Sequence, residues 1–287
     1  MTNPLIAARD AFTAQNPESR IDLNGRNWGY WDIGPDSADA PALLLIPGTL
    51  GRGDIFWNQI AALSDRVRII AVSYPDSGGI ADWALDMVNL LDHLNIATAS
   101  ILGSSLGGYL AQFIAGTYPN HVTRLIAANT LHSVTEVAKK PPYSSDLLNA
   151  PIADLRAGFG RGLGGWKQAH PDQADLVDLL LAEAGGRILE PELRARLNAL
   201  KTGPALPVVT LAARDITTIE ADDDPLIPPE MRAAVRARLT PSVAYRFLSG
   251  GHFPYAARAA EYTALLEQVL GLANTGPDWG TDPERCL

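Results

Sequence analysis

The feature that most constrains the fold of this chain is the pentapeptide GSSLG at residues 103–107. A short apolar run at residues 99–102 precedes it, and residues 106–118 behind it have the apolar spacing of a helix. Ser105 is therefore predicted to lie at a sharp turn between a buried strand and a helix. A serine at such a turn has a strained backbone, and the glycines two positions to either side allow neighbouring segments to approach it closely.

The same turn favours a nucleophilic role for Ser105. It exposes the hydroxyl and leaves the first amides of the following helix, beginning with Leu106, free to bind a developing oxyanion. A serine hydroxyl is a poor nucleophile near neutral pH and needs a positioned base. Of the five histidines, only His252 stands in a loop after the final predicted strand, where it can reach the carboxyl edge of a sheet. We therefore predict that His252 is the base.

Short apolar runs alternate with helical patterns along most of the chain, which is typical of a doubly wound, mostly parallel sheet of the α/β class. An Asn-Gly pair at residues 24–25 predicts a hairpin within residues 19–33. The run at 42–46 is apolar throughout, as in a central strand that is covered on both faces. Further strands are predicted at residues 67–72, 99–102, 124–129, 208–212 and 244–248. The tail at residues 275–287 is predicted to be irregular.

The alternation stops after residue 130 and resumes near residue 204. We interpret the intervening segment as a helical lid inserted into an α/β core, with the core at residues 1–130 and 204–287 and the lid at residues 131–203. Its glycine-dense stretch, residues 158–166, is predicted to be a flexible loop, because no strand leads into it and no Lys-Ser or Lys-Thr pair follows, as a phosphate-binding loop requires. Phe159 and Trp166 are expected to form part of an apolar roof over the nucleophile.

Composition argues against several classes of function. The 287-residue chain has a net charge of −9, whereas binding to nucleic acid or to an anionic membrane surface relies on clustered Lys and Arg. Its single cysteine, Cys286, allows neither an intrachain disulfide nor a thiolate metal cluster, so we expect a reducing, cytoplasmic location. Residues 1–20 lack the apolar core of a signal peptide, and no apolar run is long enough to span a bilayer. No motif implies a metal or a nucleotide cofactor.

Several local patterns together resemble the α/β-hydrolase family, and in particular its maspardin-like branch. They are GSSLGGYLAQ beginning at Gly103, the Tyr-Pro break at residues 74–75, LDHL at residues 91–94 and the closing GGHFPY at residues 250–255. The resemblance covers about residues 20–270. It implies the α/β-hydrolase fold. Together with this fold, Ser105, His252 and a carboxylate predict a serine hydrolase that acts without a cofactor on a small-molecule acyl substrate, namely an ester, lactone or thioester. The resemblance also points to Thr49 as the second oxyanion donor.

The resemblance leaves a non-catalytic binding role open, since the maspardin pattern has asparagine where this chain has His252. The retained base favours hydrolysis here.

The serine at the strand-to-helix turn, which is called the nucleophile elbow, argues against two other classes of enzyme. Haloalkane dehalogenases and epoxide hydrolases resemble this fold but use aspartate at that position. C–C bond hydrolysis and haloperoxidase-like chemistry stay open. Pro47 departs from the His-Gly pattern that many relatives have in the loop carrying the second oxyanion donor.

Two aspartates are candidates for the acid of the triad. Asp215 follows the predicted strand at residues 208–212 at the distance usual for this fold. Asp224 begins Asp-Pro-Leu-Ile-Pro, which resembles the Asp-Pro-Leu-Val-Pro segment of many active α/β-hydrolases. We favour Asp224, with Asp215 as the alternative. This choice requires residues 216–223 to be an insertion that loops outward behind the predicted strand.

Overall fold

A nine-stranded sheet lies at the centre of the part of the chain that the computed structural model describes, residues 2–37 and 40–287. The strands are β1 (Ser19–Leu23), β2 (Arg26–Ile33), β3 (Ala42–Ile46), β4 (Arg68–Ser73), β5 (Ala99–Ser104), β6 (Val122–Ala128), β7 (Ile216–Ala221), β8 (Val243–Phe247) and β9 (Glu284–Cys286). Their spatial order is β1-β2-β4-β3-β5-β6-β7-β8-β9. β2 pairs antiparallel with β1 and β4, and all other neighbours are parallel, so the predicted doubly wound, mostly parallel sheet is confirmed.

Helices cover both faces of this sheet. They are α1 (Pro4–Gln15), α2 (Trp57–Leu63), α3 (Ile80–His93), α4 (Leu106–Thr117), α5 (Ile152–Ala169), α6 (Ala174–Ala182), α7 (Glu190–Lys201), α8 (Pro229–Leu239), α9 (Pro254–Ala257) and α10 (Ala259–Val269). In β3, Leu43 and Leu45 join the apolar cluster of α2 and α10, whereas Leu44 and Ile46 join that of α3 and α4. Burial on both faces explains why this strand is apolar throughout.

The N-terminal hairpin forms as its turn sequence predicts. Asn24 and Gly25 have φ angles of 54° and 78°, the left-handed conformation that a tight hairpin turn requires. Ahead of this hairpin, α1 contacts α6, although no sequence pattern above predicts this first helix. None of the helices in the described residues is long and apolar enough to cross a bilayer.

The predicted strand at residues 208–212 is wrong. These residues form no strand, and the side chain of Val208 is 79% exposed. The strand is instead β7, whose six residues are all buried and whose Ile and Thr side chains suit an extended backbone. Pro207 lacks the amide hydrogen that a sheet ladder needs, which disfavours a central strand beginning there. The expected outward loop at residues 216–223 is therefore wrong, because residues 216–221 are a buried strand and only residues 222–223 lie in the turn after it.

Two further expectations are corrected. The glycine-dense stretch at residues 158–166 lies inside α5 and is not a flexible loop. Phe159 and Leu163 of this helix pack against the apolar core, and such packing outweighs the low helix propensity of glycine. The tail is also partly regular, because β9 adds to the sheet beside β8 and Trp279 packs edge-on against Phe247.

Candidate active site

Ser105 lies at the junction of β5 and α4, as its motif predicts. Its φ and ψ angles are 56° and −116°, a conformation that is costly for a residue with a side chain. The amide of Ser105 donates a hydrogen bond to the carbonyl oxygen of Ala128 at 3.0 Å, which ties the turn to the adjacent strand β6. The surrounding sheet therefore holds the strained conformation in place.

The two glycines of the motif are required by close backbone contacts. A Cβ atom at Gly103 would lie 2.0 Å from the carbonyl oxygen of Gly107, and one at Gly107 would lie 2.2 Å from that of Ile46. Atoms cannot approach so closely, so both positions need glycine. The sequence argument for small residues on either side of Ser105 thus has a direct steric cause.

His252 and Asp224 lie in the loops that follow β8 and β7, which are neighbouring parallel strands. Parallel strands end at the same edge of a sheet, and this brings the two side chains together. His252 Nδ1 lies 2.8 Å from Asp224 Oδ2 and 3.0 Å from Oδ1. Both residues are buried. The pair has the geometry in which a carboxylate fixes the tautomer and orientation of an imidazole.

Asp224 is held by three further donors. Its Oδ1 accepts hydrogen bonds from the amides of Leu226 at 2.8 Å and Ile227 at 3.1 Å, and its Oδ2 accepts one from Asn129 Nδ2 at 2.9 Å. Burial by itself raises the pKa of Asp224, but the attraction of His252 and these hydrogen bonds outweigh it, so the pKa lies below its ordinary value. The carboxylate is thus kept charged and fixed.

The role of Asn129 was not predicted from the sequence. It follows β6 directly and has a φ angle of 43°, and asparagine tolerates this left-handed conformation better than most residues. Its position at the carboxyl edge of the sheet, between a strand and the insertion, is the signal that could have marked it.

Asp215, the alternative acid, is at the other end of β7 from Asp224. It directly precedes the strand, whereas Ser105 and His252 follow the ends of their own parallel strands. A six-residue strand spans about 20 Å, so Asp215 is remote from the serine edge of the sheet. The structure therefore brings Asp224, and not Asp215, to His252. The premise that Asp215 follows a strand is wrong, because the strand itself was misplaced.

The predicted oxyanion donors flank Ser105. Leu106 is the first residue of α4, and Thr49 lies in the loop after β3. A Cβ atom at Gly48 would be 3.1 Å from the Cβ of Ser105, so this loop lies directly beside the serine. Within the described residues, neither the Thr49 nor the Leu106 amide donates to another protein group. Both amides are available to an oxygen that develops negative charge.

A buried arginine and a tyrosine hold the loop after β3. Tyr74 Oη donates to the carbonyl oxygen of Pro47 at 2.8 Å, and Arg196 Nη1 donates to those of Thr49 and Gly51 at 3.0 and 2.7 Å. Arg196 lies over the ring of Tyr74 and is fully buried, and burial lowers its pKa to about 10. Sequence reasoning missed this arginine, since α7 gives no sign of which loop it contacts.

Ser105 and His252 line one cleft of about 560 Å³, a size typical of small-molecule sites. Phe159 and Trp166 line the same cleft, on the side formed by α5. Most of the remaining lining is apolar and includes Leu163, Leu176, Val177, Leu180, Leu226 and Phe253. No direct hydrogen bond joins Ser105 to His252 within the described residues, and such bonds are often long before a substrate binds.

The described part of the chain contains no group of three or more His, Cys, Asp and Glu side chains arranged to hold a metal ion. The candidate site therefore consists of the serine, the histidine and aspartate pair, two free amides and an apolar cleft.

Comparison with known proteins identifies the family to which the chain belongs. The chain matches the model of the alpha/beta hydrolase family over residues 43–265. It is 26% identical to maspardin from Danio rerio over 267 residues, which cover 89% of this chain and 83% of that protein. Its fold is similar to that of a hydrolase from Pseudomonas aeruginosa PA01, with a TM-score of 0.73, 22% identity and coverage of 89% of this chain and 98% of the other.

The fold is also similar to that of the enol-lactonase from Burkholderia xenovorans LB400, with a TM-score of 0.70, 18% identity and coverage of 88% and 100% of the two chains. The family match spans well over half of the sequence, and the similarity to maspardin extends over most of it. The chain therefore belongs to the α/β-hydrolase family, in its maspardin-like branch.

Proposed function

We propose that this protein is a serine hydrolase that cleaves a small ester, lactone or thioester through an acyl-enzyme on Ser105. His252 is the base, and Asp224 is the carboxylate of the triad, which orients His252. One observation carries the proposal: a strained Ser105 lines the same cleft as a buried His252 whose Nδ1 is 2.8 Å from Asp224. A nucleophile, a base and a group that orients the base are the parts that acyl transfer by serine requires.

In the proposed reaction, Ser105 Oγ attacks the acyl carbon while His252 Nε2 takes the serine proton. The carbonyl oxygen gains negative charge, and the amides of Thr49 and Leu106 donate to it. Collapse of this intermediate breaks the acyl bond, and His252 returns the proton to the leaving group. Water then attacks the acyl-enzyme with His252 again as base, which releases the acid and restores Ser105.

Asp224 supports this cycle through the imidazole. Its carboxylate accepts a hydrogen bond from the N–H at Nδ1 of the neutral His252 ring, so Nε2 is left as the basic nitrogen. The negative charge of the carboxylate also stabilises the imidazolium that forms during attack. The two backbone amides and Asn129 keep the carboxylate from rotating. None of these steps requires a metal or an organic cofactor.

We assign residues 131–203 the role of a lid over a core formed by residues 1–130 and 204–287. The assignment is supported by α5 and α6, which lie in this segment and supply Phe159, Trp166 and much of the apolar wall of the cleft. Such a wall excludes water and presents an apolar surface to the substrate. The lid is therefore proposed to set the substrate range.

Labelling with a fluorophosphonate probe tests the nucleophile. We expect the probe phosphorus to bond to Ser105 Oγ with loss of fluoride, and p-nitrophenyl acetate to be hydrolysed. Ser105→Ala is expected to abolish both reactions. Ser104→Ala is the matched control, because it removes the neighbouring hydroxyl of a residue that precedes the elbow, and it should retain labelling at Ser105. Label on another residue, or on none in folded protein, would refute the proposal.

A non-catalytic binding role is the second candidate, favoured by the similarity to maspardin over 89% of the chain. It predicts a folded protein that the probe leaves unmodified and that hydrolyses no ester. The same experiment therefore separates the two functions.

A further inference from the structure

The chain turns through two consecutive glycines immediately before His252. Gly250 and Gly251 have φ angles of 140° and 60°, which lie in the left-handed region that favours glycine. A Cβ atom at Gly251 would also lie 2.9 Å from Cζ2 of Trp166, so a side chain at this position would clash with the indole. The loop that carries the base therefore depends on glycine, the residue that restrains a backbone least.

Asp223 restrains this pair of glycines. Its Oδ1 accepts a hydrogen bond from the amide of Gly251 at 2.8 Å, and its Oδ2 accepts one from the amide of Gly250 at 3.1 Å. The two bonds use both oxygens of one carboxylate, so they fix the orientation of the loop as well as its distance from the turn after β7. A charged acceptor makes such bonds stronger than a neutral one does.

The same turn holds His252 at a second point. Asp223 and Asp224 are adjacent in the chain, and the first carboxylate holds the backbone ahead of His252 while the second holds its imidazole. Asn129 joins the two contacts, because its Nδ2 donates to Asp224 Oδ2 at 2.9 Å and to the carbonyl oxygen of Gly251 at 3.4 Å. The base is thus fixed both at its main chain and at its ring.

Asp222, the residue before Asp223, has a different partner. Its carboxylate pairs with Arg246 of β8 at 2.9 Å and makes no hydrogen bond to the glycine loop among the described residues. The two aspartates carry the same charge in the same turn. They differ in what their oxygens contact, and only Asp223 contacts the loop that leads to His252.

We propose that Asp223 is a positioning residue, which holds the glycine loop so that the imidazole of His252 stays paired with Asp224 in the cleft. This inference rests on the proposed function, because His252 acts as a base only if Ser105 is acylated. Acyl transfer needs the base within hydrogen-bond reach of the serine. A displacement of about 1 Å, caused by a mutation outside the reacting groups, can cost on the order of a hundredfold in rate.

The kinetic test is Asp223→Ala with Asp222→Ala as its matched control. Both variants remove one carboxylate from the same turn, so they change the net charge equally. We expect Asp223→Ala to lower kcat for p-nitrophenyl acetate about tenfold to a hundredfold with little change in KM, because the cleft that binds the ester is intact. Asp222→Ala should keep kcat.

A conservative variant refines the kinetic test. Asp223→Asn keeps an acceptor oxygen for one of the two amides, so its kcat should fall between those of the native protein and Asp223→Ala. If Asp223→Ala does not fold, Asp223→Asn is compared with Asp222→Asn instead. Equal kcat values in the matched variants would overturn the positioning role, whether both values are unchanged or both fall.

Proton NMR tests the same placement without any reaction. The hydrogen between His252 Nδ1 and Asp224 should give a separate resonance far downfield, which is identified by its absence in His252→Asn. We expect this resonance in the native protein and in Asp222→Ala. It should be broadened or lost in Asp223→Ala, because a mobile ring exposes the hydrogen to exchange with water.

The NMR result separates failure of this inference from failure of the proposed function. An unchanged resonance in Asp223→Ala would overturn the inference, and so would the absence of the resonance from the native protein. If the native protein hydrolyses no ester but the resonance is lost only in Asp223→Ala, the hydrolase proposal fails and the placement of His252 by Asp223 stands.

Discussion

Arg196 Nη1 donates to the carbonyl oxygen of Thr49 at 3.0 Å and so connects α7 to the loop that carries a predicted oxyanion donor. The arginine is fully buried, and its Nε and Nη2 have no hydrogen-bond partner within the described residues. Glu192 lies 3.7 Å from Nη2 and balances the charge without forming a hydrogen bond. Buried donors without hydrogen bonds are costly, so this arginine is better explained by the loop that its Nη1 holds in place than by a gain in stability. We infer that Arg196 is a positioning residue.

Replacing Arg196 with Met should lower kcat about tenfold to a hundredfold with little change in KM, because a displaced Thr49 amide weakens binding of the transition state more than of the substrate. Arg196→Lys should lower kcat less than Arg196→Met does, because lysine keeps the positive charge but lacks the planar guanidinium group with its several donors. Steady-state kinetics on a p-nitrophenyl ester would measure both effects.

Arg194→Met is the control for that substitution. Arg194 is on the same helix and also donates to backbone carbonyl oxygens, those of Leu147 and Ala150, away from Ser105. The Arg194→Met variant should be less stable than the native protein but should have the same kcat. If both variants lose stability and keep kcat, Arg196 only supports the fold.

The identity of the acid is tested by a pair of isosteric changes. In Asp224→Asn, the amide oxygen should keep the two backbone amides, so the new NH₂ group faces His252 and forces the other tautomer. Turnover should then fall by a factor on the order of ten thousand with the fold retained. Asp215→Asn should leave turnover nearly unchanged. Activity lost in the second variant and kept in the first would reverse the assignment.

The charge state of Asp224 predicts how stability depends on pH. Its pKa is lower in the folded protein than when exposed, so its ionised form stabilises the fold at pH values above its unfolded pKa, about 3.9. This contribution is lost as the pH falls through the lower, folded pKa. Urea unfolding from pH 7 to pH 3 should thus show the advantage of the native protein over Asp224→Asn shrinking in the acid range.

Ser105→Ala serves as the reference for this titration, because neither serine nor alanine titrates there. Its stability difference from the native protein should not vary with pH. A constant difference for Asp224→Asn as well would mean that Asp224 gains no protons on unfolding in this range.

Local chemistry made part of this structure predictable. The elbow at Ser105, the Asn-Gly hairpin and the buried strand β3 each depend on a few adjacent residues, and all three form as expected. The strand β7 was missed because its Thr and Glu residues look less apolar than residues 208–212, which lie exposed behind a proline. Which of these two segments forms the strand depends on which one is buried in the fold, and not on which one is more apolar.

The residues that were missed in the site depend on distant contacts. Asn129 reaches Asp224 across 95 positions of sequence, and Arg196 reaches Thr49 across 147. No local pattern encodes either contact, since both arise from the way strands and helices pack. The glycines of α5 gave a wrong prediction for a different reason. Their number in this stretch suggested a flexible loop, whereas packing against the core makes the same residues a helix.

The predicted lid is joined to the core by a buried ion cluster, which gives the last prediction. Arg187, which follows α6, pairs with Asp54 and Glu183, and both carboxylates are fully buried. Burial raises the pKa of Glu183, and the attraction of Arg187 opposes that rise. Arg187→Met should lower the free energy of unfolding by about 3–5 kcal/mol, because it leaves buried carboxylates without this partner.

Lys139→Met provides the comparison for Arg187→Met. Lys139 pairs with Glu136 at 2.6 Å, but both side chains are largely exposed, so water replaces the lost partner and no measurable change in stability is expected. Urea unfolding at neutral pH would measure both variants. If Arg187→Met is as stable as Lys139→Met, the cluster does not secure the predicted lid to the core, and the apolar contacts of α6 and α7 must hold it instead.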